Sequence, residues 1–296
     1  MRRTGLVLLA AGAMMAAGAS TGEVAALTTS HPARVTHIAA PTTEPSPATE
    51  LTRVDLVVIG DSLIDVSPTK CQADCAGFVH QYSNFLADVF GVSTYSYSKV
   101  YAEGVPDAAQ VVAEDDHWRP TIADAEVVVV EVGFNNALPD PGTGIGCAGS
   151  FSIDWILSTQ LECLGEGVAT YGQLYDEIFA GIKELRAGQP TVFVAMTTIN
   201  GNLDPSFPDG LLALAGNDVD EVKAWVVAAY DRWNAMLAER AAASGFVVVD
   251  VYHAFNGPDG SRPPGSLFDG VAHPSRAGYD LIAAMLANVD LTALGG

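Results

Sequence analysis

The chain has 296 residues, of which 49% are apolar and 17% charged. That is enough to build a large core, and too few charges for a disordered chain. Thirty-five acidic residues against 14 Lys and Arg give a formal charge of −21, which repels phosphate backbones and anionic headgroups and argues against nucleic acid as a partner. The bland reading of that charge is solubility.

In chain order, Arg2 and Arg3 precede an uncharged stretch from Gly5 to Ala17 and the small residues Ala17, Gly18 and Ala19. Residues 1–19 therefore read as a signal peptide, with an uncleaved anchor as the alternative. The apolar stretch is short for a membrane span, so no stable membrane insertion is expected. Residues 20–50 are rich in Thr, Ser, Pro and Ala without apolar periodicity and read as a flexible linker. Residues 51–296 form the expected domain, a secreted one. Four cysteines, Cys71, Cys75, Cys147 and Cys163, fit an oxidising compartment, and of three pairings Cys71–Cys75 with Cys147–Cys163 ties down one loop each. Zinc is disfavoured because paired C-x-x-C spacing is missing.

Strands are predicted at Val54–Ile59, Val92–Ser98, Glu126–Val132, Thr191–Met196 and Phe246–Val251. Helical stripes lie between them. One holds Phe78, Tyr82, Phe85, Leu86 and Val89, and another Tyr171, Leu174, Tyr175, Ile178, Ile182 and Leu185. A third holds Val222, Trp225, Val226, Trp233, Met236 and Leu237, and a last helix starts near Ser275. This alternation predicts a flavodoxin-like three-layer α/β/α sandwich around a five-stranded parallel sheet, with ligands beyond the carboxyl ends of the strands. The long connections Ala137–Thr170 and Thr197–Asn217 are of a length that is usually functional or disordered. The first, with Phe151, Trp155, Ile156 and Leu157, is expected to wall the site.

Gly60-Asp61-Ser62-Leu63 directly follows the first strand. A serine there can present its hydroxyl at the top of the sheet while its amide joins the unpaired N–H groups of a helix start. As an isolated feature it could equally be an N-cap.

Four blocks in order change that balance. They are Gly60-Asp61-Ser62-Leu63, Gly104 after the second strand, Gly133-Phe134-Asn135-Asn136 after the third, and Ala272-His273-Pro274 before the last helix. Together they resemble the GDSL/SGNH hydrolases over Val54 to Ala287. The resemblance implies a metal-free, cofactor-free serine esterase or lipase. Ser62 would be the nucleophile and His273 its base, with Asp269 as third triad member. The amides of Ser62 and Gly104 and the side chain of Asn135 would form the oxyanion hole. Asp269 stands four residues before His273, where the family usually has three. Asn136 stands where it often has Asp, a supporting position expected to tolerate the change.

The remaining histidines are weaker candidates. His253 follows the fifth strand and reads as structural, His80 lies on a helix, and His117 adjoins Trp118 in a loop. The expected enzyme is a monomer acting on a lipid or short-chain acyl ester. A carbohydrate acetylesterase (with Trp118 or Trp155 stacking on sugar), an acyltransferase and an inactive binding module are the alternatives.

Overall fold

The computed structural model describes residues 51–64, 77–137, 161–203, 218–269 and 273–295. Five parallel strands form one sheet in the order β2-β1-β3-β4-β5. They are β1 (Arg53–Gly60), β2 (Thr94–Tyr101), β3 (Val127–Val130), β4 (Val192–Met196) and β5 (Val247–Val249). Each crosses to the next by a helical connection, as parallel pairing demands. The flavodoxin-like three-layer sandwich expected from the sequence is the fold observed.

The helices are α1 (Phe78–Phe90), α2 (Val105–Glu114), α3 (Trp118–Asp124), α4 (Leu161–Leu185), α5 (Val219–Ala243), α6 (Val251–Asn256) and α7 (Arg276–Leu286). Alternation along the central strands splits the core in two. Val57, Ile59, Val128 and Val130 meet Tyr175, Ile178, Phe179 and Trp233 on one face. Leu56, Val58, Val127 and Val129 meet Phe78, Tyr82, Leu86, Tyr279 and Ile282 on the other. The central β1 and β3 are buried on both faces, which is why they read as continuous apolar runs.

Three expectations need correction. The second strand is shifted to Thr94–Tyr101, because its residues alternate polar with aromatic and no apolar run marks it. The fifth strand stops at Val249 and Val251 opens α6, because the Asp250 carboxylate caps that helix, accepting the His253 N–H at 3.2 Å. Val89 points to solvent, not into the core. His117 sits in the turn before α3, as expected, and its ring packs edge-on against Trp118 at 4.6 Å. Trp118 is part-buried against the core.

Several expectations fall outside the described residues: the leader and linker, Cys71, Cys75, Cys147, and the wall residues Phe151, Trp155, Ile156 and Leu157. The backbone of Cys163 lies in α4, but its side chain is outside the description. Among the described residues no helix is long and apolar enough to cross a membrane.

Candidate active site

Three segments at the carboxyl ends of β1, β2 and β3 are sewn together by hydrogen bonds. The Ala102 N–H donates to the Gly60 carbonyl at 2.9 Å, joining the second strand's exit to the first. The Asp61 carboxylate accepts the N–H groups of Gly133 (3.2 Å) and Phe134 (2.9 Å), joining the first to the third. The same carboxylate accepts from the Leu63 N–H at 3.2 Å and so starts the 3-10 turn Ser62–Ile64. Ser62 begins that turn and is part-exposed, while Asp61, Leu63 and Ile64 around it are buried.

Asn135 closes the loop between the second and third segments. Its side-chain nitrogen donates to the Glu103 carbonyl at 2.8 Å, one residue before Gly104. A carboxamide nitrogen carries two N–H groups, so one remains for a ligand. Asn136 points the other way and is buried. It accepts the Val105 N–H at 2.8 Å and so caps α2 in place of a side chain from Gly104. That is the supporting role expected of it. The backbone of Gly104 is extended, so space and not conformation selects glycine here: a Cβ would strike the Asn136 side chain. Gly133 is different. Its φ of +142° disfavours any side chain, and a Cβ would lie 2.6 Å from the Tyr175 hydroxyl. Tyr175 itself donates to the Val132 carbonyl at 2.6 Å.

The fourth segment lies between β5 and α7, where Phe268–Asp269 and His273–Pro274 are joined to each other by hydrogen bonds. The Asp269 N–H donates to the His273 carbonyl at 2.8 Å, and the His273 N–H donates to Asp269 Oδ1 at 3.1 Å. Phe268 and Pro274 form an antiparallel bridge, and Ser275 closes the base through its N–H to the Leu267 carbonyl (2.9 Å). Ser275 also N-caps α7 by accepting from the Gly278 N–H. The Asp269 carboxylate is held against the histidine's own backbone N–H. His273 is only 5% exposed. The fourth segment meets the third at Gly201, where a Cβ would strike the Phe268 ring and crowd Phe134.

Sequence reading missed two buried acids here. Asp61 is held up at about 6, because burial opposes its charge more than four backbone N–H groups favour it. Glu131 is fully buried beneath Gly60. Its carboxyl is pushed well above the usual range by burial and by the neighbouring Asp61, and the Asp61 N–H donates to it. Its Oε2 has no hydrogen-bond partner. Burial thus favours the neutral form of Glu131 beneath the serine loop.

His253 lies elsewhere. Its Nδ1 is 2.6 Å from Asp250 Oδ2, with 43% of its side chain exposed. It borders a cavity of about 310 Å³ with Thr197, Asp231, Tyr252 and Asp259, a lining that does not include Ser62. Among the described residues no cluster of His, Cys, Asp or Glu has metal-binding geometry.

A sequence model of the GDSL-like Lipase/Acylhydrolase family matches residues 58–281, most of the chain and all four segments. The chain belongs to that family. It is accordingly an enzyme that hydrolyses carboxylic esters. Two solved structures share the fold at low identity. A lipase from a goat rumen metagenome is 16% identical with a TM-score of 0.53, over 79% of this chain and 97% of that one. A GDSL-like lipase from Parabacteroides merdae is 14% identical with a TM-score of 0.52, over 82% and 95%. No curated protein matches the sequence.

Proposed function

We propose that the chain is an exported, monomeric serine esterase that works through Ser62, His273 and Asp269 on a lipid or short-chain acyl ester. Ser62 Oγ attacks the ester carbonyl and His273 takes its proton. The tetrahedral oxyanion is met by the amides of Ser62 and Gly104 and the free N–H of Asn135. Collapse releases the alcohol, which takes the proton from His273. Water, deprotonated by the same imidazole, then frees the acid and restores Ser62. Asp269 orients His273, a role its contact with the histidine backbone favours.

The observation that carries this reading is the 2.8 Å bond from Asn135 to the Glu103 carbonyl. It holds the Asn135 side chain against the segment that carries Gly104, and Asp61 ties the Gly133–Phe134 backbone next to Asn135 to the serine loop. Preorganised donors of this kind stabilise a developing charge without reorganising as it forms. Export is supported by the leader pattern of residues 1–19.

The test is hydrolysis of p-nitrophenyl esters from acetate to palmitate by protein from residue 51 onward, beside Ser62→Ala. Turnover that Ser62→Ala abolishes is expected, and the chain-length profile assigns the acyl group. Equal turnover by Ser62→Ala would contradict the mechanism.

A further inference from the structure

Five large apolar side chains are exposed among the described residues: Val89, Tyr95, Tyr97, Tyr101 and Val247. Three of them are the tyrosines of β2, a strand at the edge of the sheet. Strand alternation places all three on one face together with Lys99. Their register partners on β1 include Val54 and Leu56, which are buried in the cluster beneath α1 and α7. One strand further out the same face is open: Tyr95, Tyr97 and Tyr101 are 40%, 40% and 52% exposed. At about 3.3 Å per residue, neighbouring positions 95 and 97 are about 6.6 Å apart and the row is about 20 Å long.

The row leads to the candidate active site. Tyr101 pairs with Gly60 in the β1–β2 register, and Gly60 precedes Asp61 and Ser62. Two residues beyond Tyr101 lies Glu103, whose carbonyl accepts from Asn135. The rings are held at their rim as well. The Tyr95 hydroxyl donates to Asn84 Oδ1 at 2.8 Å, and His80 packs edge-on against Tyr97 at 5.6 Å.

We propose that the Tyr95–Tyr97–Tyr101 face of β2 binds a neutral linear polysaccharide and presents its ester substituents to Ser62. This rests on the serine-esterase reading and supplies the alcohol half of the substrate. A sugar ring lays its apolar C–H face on an aromatic ring while its hydroxyls find polar groups beside it; phenols, with an apolar body and a polar tip, offer both. An exposed aromatic row rimmed by polar groups marks a binding surface. A lipid surface would be met by aliphatic side chains and basic charge, whereas this face carries hydroxyl-tipped rings on a protein of charge −21. The same charge opposes acidic polymers and leaves neutral ones. Addition of a protein strand to the β2 edge is discouraged by Lys99, a residue type that blunts exposed edges.

The test is electrophoresis of Ser62→Ala protein through native gels containing acetylated glucomannan or its deacetylated form. The Ser62→Ala/Tyr97→Ala/Tyr101→Ala variant runs beside it, with circular dichroism to confirm folding. Retardation by both polymers is expected, reduced at least tenfold in apparent affinity by loss of the tyrosines. In the Ser62 background, Tyr97→Ala/Tyr101→Ala should lower the ratio of kcat/KM on acetylated glucomannan to that on p-nitrophenyl acetate at least tenfold. Equal retardation with and without the tyrosines, or none at all from an active esterase, would overturn the surface. Retardation by a wild-type protein inert on every ester would overturn the catalytic reading and with it the delivery to Ser62. Self-association that the tyrosine variant abolishes, without retardation, would assign the face to a second copy of the chain.

Discussion

Two aspartate–histidine pairs lie at the carboxyl edge of the sheet, and they differ in exposure and in what the backbone contributes. Asp250 and His253 meet side chain to side chain at 2.6 Å, both about half exposed, at the start of a one-and-a-half-turn helix. Asp269 and His273 are held through the backbone, with the histidine almost wholly buried. The exposed pair satisfies a helix start, and water competes for both of its groups. In the second pair the bonds to the His273 N–H and carbonyl fix the histidine's backbone, and Phe268 beside it packs near the segment that carries Asn135. Protection of the histidine from solvent separates the two.

The most severe way to break this contrast is removal of the base. His273→Gln should lower kcat on p-nitrophenyl acetate by about 10⁴-fold or more, in line with triad deletions, whereas His253→Gln should stay within about threefold. Asn135→Ala comes next, with a loss of about 10² to 10³-fold in kcat and little change in KM, as for one oxyanion donor. Asp269→Asn should cost about 10² to 10⁴-fold and Asp250→Asn almost nothing, read in the same assay.

Asp61 sharpens the comparison through stability. Its pKa in the folded protein, about 6, lies above the ordinary 3.8, so the folded state holds a proton that the unfolded chain has released across that window. Stability from this group is full below pH 3.8 and is lost as pH rises through 6, a cost of about 3 kcal/mol at neutral pH. Urea unfolding at pH 4 and pH 7.5 should therefore show a smaller fall in stability for Asp61→Asn than for the wild type. An equal fall would contradict the assignment. The smallest effect is at the exposed pair: Asp250→Ala should destabilise by about 1 kcal/mol, the worth of a lost N-cap.

What could be read in the sequence follows the reach of each signal. Strands β1 and β3 announced themselves because burial on both faces leaves only apolar residues. Ser62, Gly104, Asn135 and His273 were named because four short blocks in order resemble the GDSL/SGNH hydrolases, a signal carried by local sequence at the ends of elements. Edge strand β2 was displaced and its tyrosine row went unseen, because half of its residues answer to solvent and not to a core. Helix α2 was missed although Gly104-Val105-Pro106 carries the proline expected in a first turn. The burial of Asp61 and Glu131 had no local signal. The Asp61 bonds that matter reach 72 and 73 residues along the chain, and only the packed sheet brings those ends together.

The most direct test of the catalytic assignment is labelling with a fluorophosphonate probe, which reacts with an activated serine, followed by peptide mass mapping. Wild-type and His253→Gln protein should be modified at Ser62 alone, at similar rates, and His273→Gln should be labelled at least a hundredfold more slowly. Labelling of Ser62 that survives His273→Gln but fails in His253→Gln would contradict the account and move the base to the exposed pair.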